Sequence, residues 1–125
     1  MRGFLAITTL ALTVLGAGTG AARADWAIAF GQSGSTGWAY GTAWNYDSAE
    51  EARRKALANC REKGPNCKIV AEESGQCGAL AIGINDNAYG WAQGETKRKA
   101  ARDARETCEK YSNGECEVKD SFCDN

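Results

Sequence analysis

SAEEARRKALANC, Ser48 to Cys60, and TKRKAARDARETC, Thr96 to Cys108, are two versions of one pattern set 48 residues apart. Both read Ser/Thr-x-x-x-Ala-x-x-x-Ala-x-x-x-Cys, through Ala52, Ala56 and Cys60, then Ala100, Ala104 and Cys108. A spacing of four places each set on one stripe of an α-helix. Small side chains on that stripe let the helix approach a sheet closely. Ser48 and Glu51 form a capping box, so the first helix starts at Ser48. It ends near Lys63, before Gly64-Pro65, because proline cannot continue it. The second helix runs from about Thr96 to Tyr111, before Ser112-Asn113-Gly114. It lacks the capping glutamate and carries Lys97, Arg98 and Lys99 at its positive end. Each such charge costs roughly a few tenths of a kcal/mol against the helix dipole. The abundance of Ala, Lys, Arg and Glu still favours helix.

Outward from the helices, the likeness continues in order. WAIAF, Trp26–Phe30, resembles GALAI, Gly78–Ile82; GWAYG, Gly37–Gly41, resembles GWAQG, Gly90–Gly94; CKIV, Cys67–Val70, resembles CEVK, Cys116–Lys119. A shared period near 50 residues indicates two copies of one unit, residues 25–73 and 77–125. Each reads strand, strand, helix, strand. The strand pairs are Trp26–Gly31 with Gly37–Ala43, across the QSGSTG turn, and Gly78–Ile84 with Ala88–Gln93, across Asn85-Asp86-Asn87.

Along these strands bulky and small residues alternate: Trp26, Ile28 and Phe30 against Ala27 and Ala29; Leu80, Ile82 and Ile84 against Ala79, Ala81 and Gly83. The expected fold is α+β: two ββαβ-like repeats forming a mainly antiparallel sheet of about six strands, two helices on one face and three disulfides. The bulky strand face is expected to meet the small helix stripes in one core. A sharper alternative leaves Trp38, Tyr40 and Trp91 on an open sheet face, as a platform for a sugar ring or an extended peptide.

The N-terminus carries its own signal. Met1-Arg2 is followed by an apolar run, Phe4–Gly16, and Ala22-Arg23-Ala24 precedes Asp25. This is the pattern of a secretory signal peptide over residues 1–24. The run is short for a transmembrane helix. The expected product is an exported, periplasmic or extracellular domain, residues 25–125, with no stable membrane anchor after cleavage.

All six cysteines lie in that mature chain. An even count in a small exported chain reads as three disulfides. No C-x-x-C pair and no histidine are present, so no zinc or other metal site is expected. Six cysteines allow 15 connectivities. Repeat symmetry selects Cys60–Cys67 and Cys108–Cys116, each a helix end joined to a strand start. Cys77–Cys123 follows by elimination.

Composition narrows the function. The chain has 125 residues, 15 bases, 16 acids and no histidine. Without histidine there is no Ser-His or Cys-His nucleophile and no histidine base. A near-neutral charge argues against nucleic acid as partner. The Gly31-Gln-Ser33-Gly-Ser35 stretch misses G-x-S-x-G at its last position. Glu72 and Glu73 are strand neighbours that point to opposite faces. Asn85-Asp86-Asn87 lacks the spacing of a calcium loop. The chain therefore reads as no enzyme, without cofactor; a hydrolase using carboxylates alone is the residual catalytic reading.

Charge is segregated. Residues 48–63 and 95–110 hold 11 bases and 7 acids, and the rest of the mature chain holds 2 bases and 9 acids. With both helices on one side, that side is basic and the other acidic, a field that steers an anionic partner. Lys97, Arg98, Lys99 and Arg102 are the candidate partner-binding residues. The expected function is an exported protein-interaction module with an unknown protein partner, inhibitor-like or directed at a host or competitor. The alternative is a cell-wall or glycan binder using Trp38, Tyr40 and Trp91.

Together Trp26–Phe30, Gly37–Gly41, Ser48–Cys60, Cys67–Val70, Cys77–Gly83, Tyr89–Trp91 and Ala100–Cys108 resemble the bacterial "domain of unknown function 4189". The resemblance covers nearly all of residues 25–125. It implies a small exported bacterial domain and brings no catalytic residue with it.

Overall fold

The structure, a computed structural model, describes residues 24–33 and 37–124. The leader reading falls on residues 1–24, and all of these but Ala24 lie outside the described residues, as do residues 34–36 of the QSGSTG turn. The elements are β1 (Asp25–Ser33), β2 (Gly37–Tyr46), α1 (Ala49–Arg61), β3 (Lys68–Ser74), β4 (Cys77–Gly83), β5 (Tyr89–Gly94), α2 (Lys97–Tyr111) and β6 (Cys116–Cys123). The fold is α+β, with every strand pair antiparallel.

The expected continuous sheet is divided. β1 pairs with β2 and β3 in a sheet of order β2-β1-β3, and β4 pairs with β5 and β6 in a sheet of order β5-β4-β6. The alternation explains how they stack. Trp26, Ile28 and Phe30 of β1 meet Leu80 and Ile82 of β4 and Phe122 of β6 in one buried cluster between the sheets. Trp26 packs edge-on to Phe122 at 5.2 Å, and Phe30 stacks on Tyr89 at 4.4 Å.

The opposite, small faces take the helices. Ala27, Ala29, Ala39 and Ala43 meet Ala52, Ala56 and Cys60 of α1, and Ala79 and Ala81 meet Ala100, Ala104 and Cys108 of α2. The layers thus run α1, sheet, sheet, α2. This corrects two expectations: the helices cover opposite outer faces, and the bulky strand faces pack on each other. The physical reason is size. Facing sheets sit about 10 Å apart and have room for interdigitating large side chains. A helix on an Ala/Gly surface comes close enough that its backbone touches the strand. A Cβ added to Gly41 would overlap the Ala56 carbonyl and the Cys60 amide, and one on Gly90 would overlap the Ala104 carbonyl and the Cys108 amide.

The helices start where their caps place them. The Ser48 hydroxyl accepts from the Glu51 N–H at 3.2 Å, and the Thr96 hydroxyl accepts from the Lys99 N–H at 3.1 Å. α1 stops at Arg61, two residues before Lys63, with the Lys63 and Gly64 N–H groups both donating to the Cys60 carbonyl. The bridges are Cys60–Cys67, Cys108–Cys116 and Cys77–Cys123. The first two tie each helix end to the strand that follows. The third closes β4 onto the end of β6. Beyond the apolar layer, the Thr42 hydroxyl of β2 donates to the Asp120 carboxylate of β6, joining the sheets at one margin.

Candidate functional site

The candidate aromatic residues do not gather. Tyr40 pairs with Phe30 across β1 and β2, and Trp38 pairs with Gln32, so both face the second sheet. They are half-buried at its margin, 5.6 Å apart and tilted. Each ring carries a lysine: Lys63 Nζ lies 3.6 Å from the Tyr40 ring centroid and Lys119 Nζ 4.9 Å from that of Trp38. Such contacts occupy ring faces that a sugar would need. Trp91 lies on β5 and packs edge-on to Trp26 at 6.4 Å. Since β2 lies over β6, and β6 and β5 flank β4 on opposite sides, Trp91 sits at the far margin from Trp38 and Tyr40.

A different aromatic concavity exists on Trp91's side. Asn87, Ala88, Tyr89, Trp91, Thr107 and Tyr111 line an open groove of about 460 Å³ along the edge of β5. Tyr111 is 75% exposed, and Tyr89 and Trp91 are half-buried. The sequence reading passed over Tyr89 and Tyr111. Tyr89 lies inside an expected strand and Tyr111 at an expected helix end; only the fold brings residues so far apart in sequence to one groove.

The basic residues do gather. With Ala100, Ala104 and Cys108 buried, α2 turns the opposite surface to solvent. Lys97, Arg98, Lys99 and Arg102 are all exposed in its first two turns, and no acid occupies the first turn. Lys99 and Arg102 share Asp103, at 2.9 and 3.5 Å. The Lys99 hydrogen bond leads in holding the Asp103 carboxyl below its ordinary range, with Arg102 adding to it. Among the described residues Lys97 and Arg98 make no ion pair. On α1 the equivalent outer face is partly neutralised, since Arg53 reaches Glu72 of β3 at 2.9 Å. With the helices on opposite faces, the expected single basic side becomes two separate basic faces.

Around the groove, Asp86 fixes the supporting loops. Its carboxylate accepts from the Ala88 N–H at 3.1 Å, the Ser112 hydroxyl at 2.8 Å and the Asn113 N–H at 2.9 Å. The Asn113 N–H, then Ser112 and Ala88, hold the Asp86 carboxyl below its ordinary range. Among the described residues no cluster of three or more Cys, Asp or Glu is arranged to hold a metal ion. None of their helices is long and apolar enough to cross a membrane.

The family model described as "Domain of unknown function (DUF4189)" matches residues 26–123, and the chain belongs to that family. It matches no curated protein and no solved structure.

Proposed function

We propose that this member of the DUF4189 family is an exported, non-enzymatic interaction module that binds an acidic protein surface through the outer face of α2. The observation that carries the reading is the cationic first turn of that helix. Lys97, Arg98 and Lys99 stand where the helix dipole disfavours cations, and two of them have no acidic partner among the described residues. An anion on a partner offsets that local cost; within the described fold Asp103 relieves it at Lys99, but no acid does so at Lys97 or Arg98. The core explains why no other part of the helix competes: its opposite stripe is buried against β4 and β5.

Export is part of the proposal. The leader pattern in residues 1–24 supports it, and three disulfides suit an oxidising compartment. So is the internal duplication: both sheets have the order second, first, third strand of their half, with a helix before the third. Nucleic acid is not proposed as a partner, because the mature chain carries more acids than bases.

A second reading, glycan binding, draws on the Tyr89–Trp91–Tyr111 groove, whose Asn87 and Thr107 offer polar contacts beside the aromatic rings. One experiment separates the two. The oxidised exported protein is offered soluble envelope proteins and insoluble wall material, beside a variant with Lys97, Arg98, Lys99 and Arg102 changed to Gln. The interaction reading predicts a stoichiometric protein partner that the variant loses and that salt weakens. Retention on wall material, unchanged in the variant and abolished by Tyr111→Ala, would replace it with the glycan reading.

A further inference from the structure

We propose that removal of the leader completes a buried corner of the fold: the α-ammonium created at Asp25 becomes the counter-ion of two neighbouring carboxylates, Asp25 and Asp124. The inference rests on the export reading above. Asp25 opens β1 and is only 7% exposed, and its carboxylate accepts from the Ser74 hydroxyl. Asp124 follows β6. Its Oδ1 accepts from the Asn45 N–H at 2.8 Å, while its Oδ2 is buried with no hydrogen-bond partner. Burial raises the Asp124 pKa and the Asp25 charge adds to that, with the N–H dipoles of Asn45 and Gly75 opposing. Neither acid is in an ion pair among the described residues. Among the described residues the corner is a pair of like charges without a cation.

The cation is one bond away. The Gly75 N–H donates to the Ala24 carbonyl at 2.9 Å, and that carbonyl carbon is bonded to the Asp25 nitrogen. Asp25 stands opposite Tyr46 of β2 and Ser74 of β3, and Asp124 is fixed beside both partners, its carboxylate accepting from the Asn45 N–H and its own N–H donating to the Gln76 carbonyl, so the Asp25 nitrogen and the Asp124 carboxylate share one corner. Ala22-Arg23-Ala24 ends the leader. Hydrolysis of the Ala24–Asp25 amide consumes one water; the new carboxylate leaves with the leader, and the amine stays and takes up a proton. The cut removes the Ala24 carbonyl, which frees the Gly75 N–H for Asp124 Oδ2. It also leaves an ammonium with three donors at Asp25.

The test exports two full chains into an oxidising periplasm: the natural one, and one with Gly-Ser inserted between Ala24 and Asp25. Each is made with Asp124 and with Asp124→Asn, and intact mass fixes the first residue of every mature product. The natural product is expected to begin at Asp25. There Asp124→Asn should lower the folding equilibrium constant about tenfold more than in the extended chain. The α-amino group should titrate above its ordinary value of about 7.7–8.0, and return to it in the variant. Equal losses in the two chains, with an ordinary α-amino titration, overturn the pairing while leaving export intact. A first residue other than Asp25 overturns the cleavage reading and the pairing with it. Should Asp124→Asn fail to fold, the α-amino titration of the two unsubstituted chains decides: equal values refute the pairing.

Discussion

Gly41 and Gly90 decide how near each helix sits to its sheet. A methyl group at either position would run into helix backbone, which has no rotamer to yield. Gly41→Ala and Gly90→Ala should therefore each destabilise the protein by about 3 kcal/mol, the upper end of overpacking. Gly114→Ala, whose added carbon meets nothing within 4 Å, should be nearly neutral. Denaturant unfolding of the three variants checks the contrast. The sequence holds no sign that these two glycines are equivalent: its repeated Gly-Trp motif aligns Gly41 with Gly94 and Gly90 with Gly37, whereas strand pairing puts Gly41 opposite Ala29 of β1 and Gly90 opposite Ala81 of β4. It did not say what they approach, because the helix backbone they touch lies 14 or more residues further along the chain.

At the scale of elements, Asp86 joins the β4–β5 turn to the loop between α2 and β6. Its folded pKa is depressed, so its contribution to stability is present above the unfolded carboxylate pKa and is lost as pH falls through the folded value. Asp86→Asn should thus cost the same at any pH above the carboxylate range, with the difference from the natural protein shrinking on acidification. Thermal unfolding of both proteins across the acid range measures this. A turn at Asn85-Asp86-Asn87 was legible, but the clamp was not, since Ser112 and Asn113 are 26 and 27 residues away.

The helices were the most legible elements. Their four-residue Ala/Cys period and their Ser48 and Thr96 caps are local signals. The strands were legible in type and faces but short in extent: β2 continues to Tyr46, β3 to Ser74 and β6 to Cys123, because pairing with β1 and β4 persists beyond the alternating residues. What covers each face was not legible. Period two states which residues share a face, and a bulky face is satisfied equally by a helix or by a second sheet.

For the whole molecule, the layer order settles how charge is displayed. Two basic helices on opposite outer faces give two fields; among the described residues Arg54, Lys55 and Arg61 of α1 and Lys97 and Arg98 of α2 make no ion pair, and only those of α2 stand in a first turn without an acid. The same order leaves the sheets held to each other by the Trp26–Phe122 layer and the Thr42–Asp120 bond at one margin, while the Cys77–Cys123 bridge ties β4 to β6 within the second sheet. That bridge closes the longest loop of the three, with a sequence separation of 46. Replacing both Cys77 and Cys123 by Ser should cost about 4 kcal/mol, against about 2.5 kcal/mol for the Cys60 and Cys67 pair. Equilibrium unfolding under non-reducing conditions compares the two. A smaller loss at Cys77 and Cys123 would mean that the second half is tied down by its core alone.

The central claim is that the outer face of α2 is the recognition surface and the paired sheets are its support. Amide hydrogen exchange on the exported protein, free and saturated with the captured partner, tests it most directly. The account predicts added protection over residues 96–106, the cationic half of α2, with the β5 edge unchanged. Protection confined to residues 87–91 and Tyr111, with α2 exchanging as in the free protein, would contradict it and assign recognition to the aromatic groove.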